Sequence, residues 1–85
     1  MTYRVEVAPL AYRQIKKLPR EVQKRIIERV EELASNPRPA GAKKLVSGED
    51  LYRVRVGEYR AVYQIRDREL IVVIVKVGHR REVYS

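Results

Sequence analysis

The sequence predicts a single α+β domain in which two helices pack against a largely antiparallel sheet. Three observations support this class. Residues 2–7 alternate between apolar and polar side chains, residues 9–34 carry apolar side chains at helical spacing, and the C-terminal half contains three strand-like segments. The predicted order is an N-terminal strand, a helical hairpin and a three-stranded antiparallel meander. A chain of 85 residues suffices for one domain, which we place over residues 1–85.

In the N-terminal half, the alternation over Thr2–Val7 predicts a half-buried strand. Pro9 suits the first turn of a helix, and Pro19 ends that helix because proline cannot donate a backbone hydrogen bond. A second helix is predicted over Arg20–Ala34, followed by a proline- and glycine-containing loop at Asn36–Gly41. The apolar stripe of the second helix comprises Val22, Ile26, Ile27, Val30, Leu33 and Ala34. An antiparallel helical hairpin is favoured over one longer helix kinked at Pro19.

In the C-terminal half, the strands of the meander are predicted at Leu51–Val56, Tyr59–Arg66 and Leu70–Val77. The third segment is apolar on both faces up to residue 75, which is typical of an interior strand. Part of its second face is then available to a partner. Lys43–Val46 is ambiguous between a loop and a short edge strand.

The first hairpin of the meander places like charges opposite each other. Gly57 occupies the first central position of a two-residue loop, as a type II′ turn requires. This register pairs Arg55 with Arg60 and leaves Arg53 on the same face, two residues away. Like charges directly opposite are unfavourable, with Cβ atoms roughly 5 Å apart. A surface that tolerates this repulsion is expected to bind a polyanion.

Composition narrows the possible partners. The net charge is +8, which is typical of proteins that bind nucleic acid, an anionic membrane or an acidic protein, although charge alone is equally compatible with a well-solvated surface. There is no cysteine, so neither a disulfide framework nor a thiolate metal site is expected. The longest apolar run is interrupted by Lys76 and is too short to cross a bilayer. We therefore expect a cytoplasmic protein that does not bind membranes.

The chain resembles the RelE toxins of the RelE/ParE superfamily. The resemblance rests on the segments LYRVRVGEYRAVYQI and VGHRREVY, which follow the N-terminal strand and the helical hairpin in the family's order. It covers nearly the whole chain. It implies a small basic toxin that pairs with a RelB-like antitoxin, enters the ribosomal A site and cuts mRNA there without a metal or other cofactor.

The resemblance also implies which residues act. The positions that match the family's catalytic set are Arg53, Arg55, Arg60, Arg80 and Tyr84. Metal-free cleavage needs attack of the 2′-hydroxyl on phosphorus and neutralisation of a dianionic transition state, for which Arg60 and Arg80 are the candidates. Arg53 and Arg55 would hold flanking phosphates or assist proton transfer. Tyr84 is the candidate base, or it stacks on a nucleobase.

Two further residues are predicted to bind RNA. His79 is expected to contact rRNA or to serve structurally, because the adjacent charges of Arg80 and Arg81 disfavour its imidazolium form. Arg81 is expected to contact the RNA backbone or to remain a surface charge. The predicted packing residues are Tyr3, Tyr52, Tyr59 and Tyr63.

Two alternatives use the same fold. One is a ParE-type toxin that inhibits DNA gyrase without RNA chemistry. The other is a non-catalytic module, either a degenerate toxin or a simple RNA-binding protein. The presence of Arg60, Arg80 and Tyr84 together favours the RNA-cleaving toxin over both.

Overall fold

The computed structural model describes residues 2–46, 50–79 and 81. Within these ranges two helices lie against a five-stranded sheet. The elements are β1 (Arg4–Val7), α1 (Pro9–Lys16), α2 (Arg20–Ser35), β2 (Lys43–Lys44), β3 (Leu51–Val56), β4 (Tyr59–Arg66) and β5 (Ile71–His79). Across the sheet the order is β1-β5-β4-β3-β2, with β1 parallel to β5 and the other neighbours antiparallel. The predicted α+β class and the meander of β3, β4 and β5 are confirmed.

The first and last strands differ from their predicted bounds for identifiable reasons. β1 begins at Arg4 because the amide of Tyr3 donates to the carbonyl of Ala34 at the end of α2, at 2.8 Å. β5 begins after Leu70, whose φ of 56° lies in the left-handed region of a turn. β5 then continues to His79, two residues beyond the predicted end. The short edge strand β2 resolves the ambiguity at residues 43–46.

Pro19 separates two distinct helices, so the alternative of one kinked helix is wrong. The amide of Leu18 donates to the carbonyl of Ile15 at 3.0 Å, in a turn that ends α1. Pro19 is then the N-cap of α2. The side-chain amide of Gln23 donates to the carbonyls of Lys16 and Leu18, at 3.3 and 2.8 Å. Gln23 therefore satisfies carbonyls that the end of α1 would otherwise leave unpaired.

The core lies between the two helices and one face of the sheet. Its buried members are Ala11, Ile15, Ile26, Val30, Leu33, Val54, Ala61, Tyr63, Ile65, Val72, Ile74 and Val77. Tyr63 is fully buried, and Tyr3, Tyr52 and Tyr59 pack against this core, as predicted. Ile27, which belongs to the predicted apolar stripe of α2, is instead 49% exposed.

β5 is an interior strand, as predicted, and it contains a β-bulge. Val62 of β4 pairs with Lys76, whereas the next residue, Tyr63, pairs with Ile74, so Val75 is an extra residue in β5. A bulge of this kind changes which side chains face each side of the sheet. His79 consequently lies opposite Tyr59, on the side that the helices cover.

β1 pairs with β5 only as far as Ile74, which leaves the neighbouring edge of β5 without a strand partner beyond that residue. There the amide of Val77 donates to the side-chain oxygen of Gln14 from α1, at 2.7 Å. A buried amide without a partner is strongly unfavourable. Gln14 therefore completes this edge of the sheet and fixes α1 against β5.

Candidate nucleic-acid interface

The β3–β4 hairpin has the register that the sequence predicts. Arg55 pairs with Arg60, and Arg53 pairs with Val62. Gly57 has a φ of 59°, whereas Glu58 is not among the non-glycine residues with positive φ. This combination fits a type II′ turn, since a type I′ turn would need positive φ at both central residues.

The three arginines of this hairpin lie on the face of the sheet that the helices do not cover. The residues that alternate with them, Val54 and Ala61, belong to the helix-side core. On the uncovered side a groove of about 290 Å³ is lined by Gly41, Lys43, Arg53, Arg55 and Arg60. We call this groove the arginine groove. The structure thus brings together three of the predicted site residues and adds Lys43, which sequence reasoning missed.

A small apolar cluster adjoins the arginine groove on the same face. Leu45 and Val62 are buried there, and Leu51 and Val75 pack against them. Val62 is the cross-strand neighbour of Arg53, and Val75 is the bulge residue of β5. The bulge therefore supplies part of the apolar surface beside the cationic side chains. Bulges are frequent next to functional sites because they redirect side chains locally.

The arginine groove is electropositive. Among the residues that the structure describes, the carboxylates in ion pairs belong to Glu6, Glu32, Glu58, Asp67 and Glu69, and none of these lines the groove. The Nε of Arg55 donates to the carbonyl of Gly57 at 3.2 Å. Among the described residues, no carboxylate forms an ion pair with the terminal nitrogens of Arg55. Guanidinium groups stay charged and bind phosphate oxygens bidentately. The groove is therefore suited to a phosphodiester backbone.

The two other predicted site residues that the structure describes, His79 and Arg81, do not line this groove. His79 contacts the ring of Tyr59 edge-on with centroids 5.6 Å apart, and its Nε2 lies 4.0 Å from a carboxylate oxygen of Glu58. The sheet thus separates His79 from the arginines. Arg81 is exposed in a turn, and its amide donates to Nδ1 of His79 at 3.3 Å. Arg80 and Tyr84 lie outside the described residues.

A polar cluster that sequence reasoning missed fixes the segment before β2. Arg38 donates to both carboxylate oxygens of Asp67, at 3.2 and 2.8 Å, and its Nε donates to the hydroxyl of Tyr52 at 3.1 Å. The Tyr3 hydroxyl donates to the same carboxylate at 2.6 Å. We call these four residues the Arg38 cluster. No local pattern links positions so distant in sequence, so only the folded structure reveals it.

The Arg38 cluster shifts the protonation of its members. The hydrogen bonds from Arg38 and Tyr3 lower the pKa of Asp67 to about 2. The hydrogen bond to this carboxylate raises the pKa of Tyr3, and the hydrogen bonds to Asp67 and Tyr52 raise the pKa of Arg38. The pair of Arg38 and Asp67 therefore remains charged at physiological pH.

A buried hydrogen bond also fixes the segment before β2. The hydroxyl of Tyr63 donates to the carbonyl of Pro37 at 2.7 Å. Burial raises the pKa of Tyr63 to about 12, so the hydroxyl keeps its proton over the whole useful pH range. Gly41, a few residues further on, forms part of the wall of the arginine groove.

The chain is similar to known toxins in both sequence and fold. The family model described as the ParE toxin of the type II toxin–antitoxin system parDE matches residues 5–84. The mRNA interferase toxin RelE of Escherichia coli K12 is 32% identical over 89 residues, which cover 100% of this chain and 93% of the relative.

Solved structures of similar toxins have the same fold as this chain. The RelE–RelB complex of the archaeon Pyrococcus horikoshii contains a chain that is 30% identical, with a TM-score of 0.84, over 98% of this chain and 100% of that one. The toxin–antitoxin complex RelBE2 of Mycobacterium tuberculosis contains a chain that is 30% identical, with a TM-score of 0.83, over 94% of this chain and 100% of that one. These similarities extend over the arginine groove and both helices.

Proposed function

The chain belongs to the ParE toxin family of type II toxin–antitoxin systems and is a RelE-type toxin of the RelE/ParE superfamily, and we propose that it cleaves mRNA in the ribosomal A site. The observation that carries this proposal is the arginine groove, where cations from two paired strands converge on the uncovered face of the sheet. The name of the Escherichia coli relative, an mRNA interferase, supports the same chemistry.

The proposed reaction needs no metal. The 2′-hydroxyl of a nucleotide loses its proton and attacks the adjacent phosphorus, and the bond from phosphorus to the 5′-oxygen of the next nucleotide breaks. The leaving 5′-oxygen gains a proton, so the products are a cyclic phosphate and a free 5′-hydroxyl. The transition state carries two negative charges on its phosphoryl oxygens. Arg60, with Arg80 by family resemblance, neutralises this charge, and Arg53 and Arg55 hold the flanking phosphates.

The proton-transfer role is not assigned to the described residues of the arginine groove. No histidine, tyrosine or carboxylate is among the described residues that line the arginine groove. The resemblance assigns the base to Tyr84, and His79 lies on the other side of the sheet. The groove thus supplies electrostatic stabilisation, while the orientation of the reacting atoms falls to the ribosome. This division of labour is the reason why we propose that cleavage depends on the ribosome.

We also propose a RelB-like antitoxin as the partner of this chain. The similar toxins of Pyrococcus horikoshii and Mycobacterium tuberculosis are both in complexes with their antitoxins. No helix within the described ranges is long and apolar enough to cross a membrane. The proposed substrate, mRNA on a translating ribosome, implies that the toxin acts in the cytoplasm.

Primer extension tests this function. We expect the protein to cut an mRNA within the A-site codon of programmed ribosomes and to leave the same RNA intact when it is free in solution. Because the matched family is described by its ParE members, a DNA gyrase supercoiling assay belongs in the same experiment. Inhibition of supercoiling without cleavage of ribosome-bound mRNA would replace the proposal with gyrase inhibition.

A further inference from the structure

Lys43 is the cation among the described residues of the arginine groove that has no assigned role. It lies in the edge strand β2, directly opposite Arg53 of β3, and its side chain is exposed. Val62 and then Lys76 continue this cross-strand row, so the row carries three cations. Lys43 has no ion-pair partner among the described residues. The neighbouring Lys44 is also exposed but lies opposite Tyr52, on the other face.

Strand propensity and cross-strand pairing do not explain this placement of Lys43. Lysine is depleted in strands, and a cation directly opposite another cation is destabilising. β2 has only two residues, so its pairing with β3 offers little to offset that repulsion. A bound polyanion would offset it, because neighbouring phosphates beside Lys43 and Arg53 each place a negative charge next to a cation.

We propose that Lys43 is a further RNA-binding residue, which contacts the phosphate adjacent to the one that Arg53 holds. This inference rests on the proposed function, since it takes the ligand of the arginine groove to be a single-stranded RNA backbone. Lys43 extends the cationic row from the meander strands to the edge strand. The row therefore follows more of the RNA backbone than the resemblance to the family implies.

The Arg38 cluster positions Lys43. The segment that leads into β2 is tied to β3 through Tyr52 and to the β4–β5 turn through Asp67. The Pro39 carbonyl accepts from the amide of Ala42 at 2.9 Å, which turns the chain immediately before β2. Loss of the Asp67 carboxylate would release this segment. Asp67 is therefore a positioning residue for Lys43.

The test is the salt dependence of binding to a short labelled oligouridylate, measured by fluorescence anisotropy for wild type, Lys43→Ala and Lys44→Ala. For single-stranded nucleic acid the slope of log K against log salt changes by about 0.7 for each phosphate contact. We expect Lys43→Ala to reduce the slope by about this amount and Lys44→Ala to leave it unchanged. Equal slopes for the two variants, or no measurable binding by wild type, would overturn the inference.

The positioning role is tested by repeating the comparison in an Asp67→Asn background. If the Arg38 cluster presents Lys43 to RNA, the slope change caused by Lys43→Ala shrinks towards zero in that background. A change that stays near 0.7 would overturn the role of Asp67 but not that of Lys43. This assay contains no ribosome, so absence of ribosomal cleavage would refute the proposed function while the slopes still decide about Lys43.

Discussion

The hydrogen bond from Tyr63 to Pro37 is predicted to stabilise the segment before β2, which leads into the arginine groove at Gly41. Tyr63→Phe removes only the hydroxyl and leaves the ring in a fully buried site. The carbonyl of Pro37, a buried residue, then loses its partner at 2.7 Å. An unpaired buried acceptor costs about 1–3 kcal/mol. For a domain of this size, each kcal/mol lowers Tm by roughly 4–8 °C.

The assay is urea unfolding followed by circular dichroism, with Tyr3→Phe as the matched control. Tyr3→Phe also removes one hydroxyl hydrogen bond, but that bond is exposed and goes to the carboxylate of Asp67. We expect it to change the unfolding free energy by no more than about 0.5 kcal/mol. If Tyr63→Phe were no more destabilising than Tyr3→Phe, the buried bond would not be what fixes the segment before β2.

Three other perturbations have defined outcomes. Arg55→Gln removes one of two opposed cations and also the hydrogen bond from its Nε to the Gly57 carbonyl, so salt dependence isolates the repulsion. Relative to wild type, the unfolding free energy of the variant in urea titrations should be about 0.5 kcal/mol higher at low salt than at high salt, with weaker RNA binding; a salt-independent difference would contradict the repulsion. Gly57→Ala should lower that free energy by about 1–2 kcal/mol, because its φ of 59° is left-handed, although its Cβ would meet nothing closer than Arg25 Nη1 at 3.8 Å. The pKa of Asp67 is about 2 when folded and 3.8 when free, so the unfolded state binds more protons between these values. Its contribution to Tm should therefore be lost as the pH falls from about 4 to 2, and Asp67→Asn should flatten that part of the Tm–pH curve.

The elements that the sequence predicted best are those with a local cause. Pro19 separates the helices because it lacks an amide, and Gly57 fixes the hairpin because a type II′ turn needs its positive φ. Once that turn is placed, side-chain alternation determines that Arg53, Arg55 and Arg60 share a face. The composition of the arginine groove was therefore largely predictable.

The features that the sequence did not reveal depend on contacts between distant residues. Alternation indicates which residues are buried but not which strands are neighbours, so the parallel pairing of β1 with β5 was not foreseen. The bulge at Val75 lies in a run that is apolar on both faces, where no alternation marks an extra residue. The bulge also determines on which face of the sheet His79 lies, so the separation of His79 from the arginine groove was not predictable either.

Lys43 and the Arg38 cluster were missed for the same reason. In the sequence, Lys43 and Lys44 are indistinguishable neighbours, and only the pairing of β2 with β3 places Lys43 beside Arg53. The partners in the Arg38 cluster come from the N-terminus, the segment before β2, a strand and a turn. Arg80 and Tyr84 lie outside the described residues, so their roles remain predictions from family resemblance.

The most direct test of the central claim is the single-turnover rate of mRNA cleavage in the A site of programmed ribosomes. It compares wild type with Arg60→Ala and with Arg68→Ala, an exposed arginine in the turn beyond the far end of β4. Removing one group that stabilises transition-state charge costs about 10²–10³ in rate. We expect a loss of this size for Arg60→Ala and an unchanged rate for Arg68→Ala. Equal rates for both variants, or equally fast cleavage of free RNA, would contradict the account.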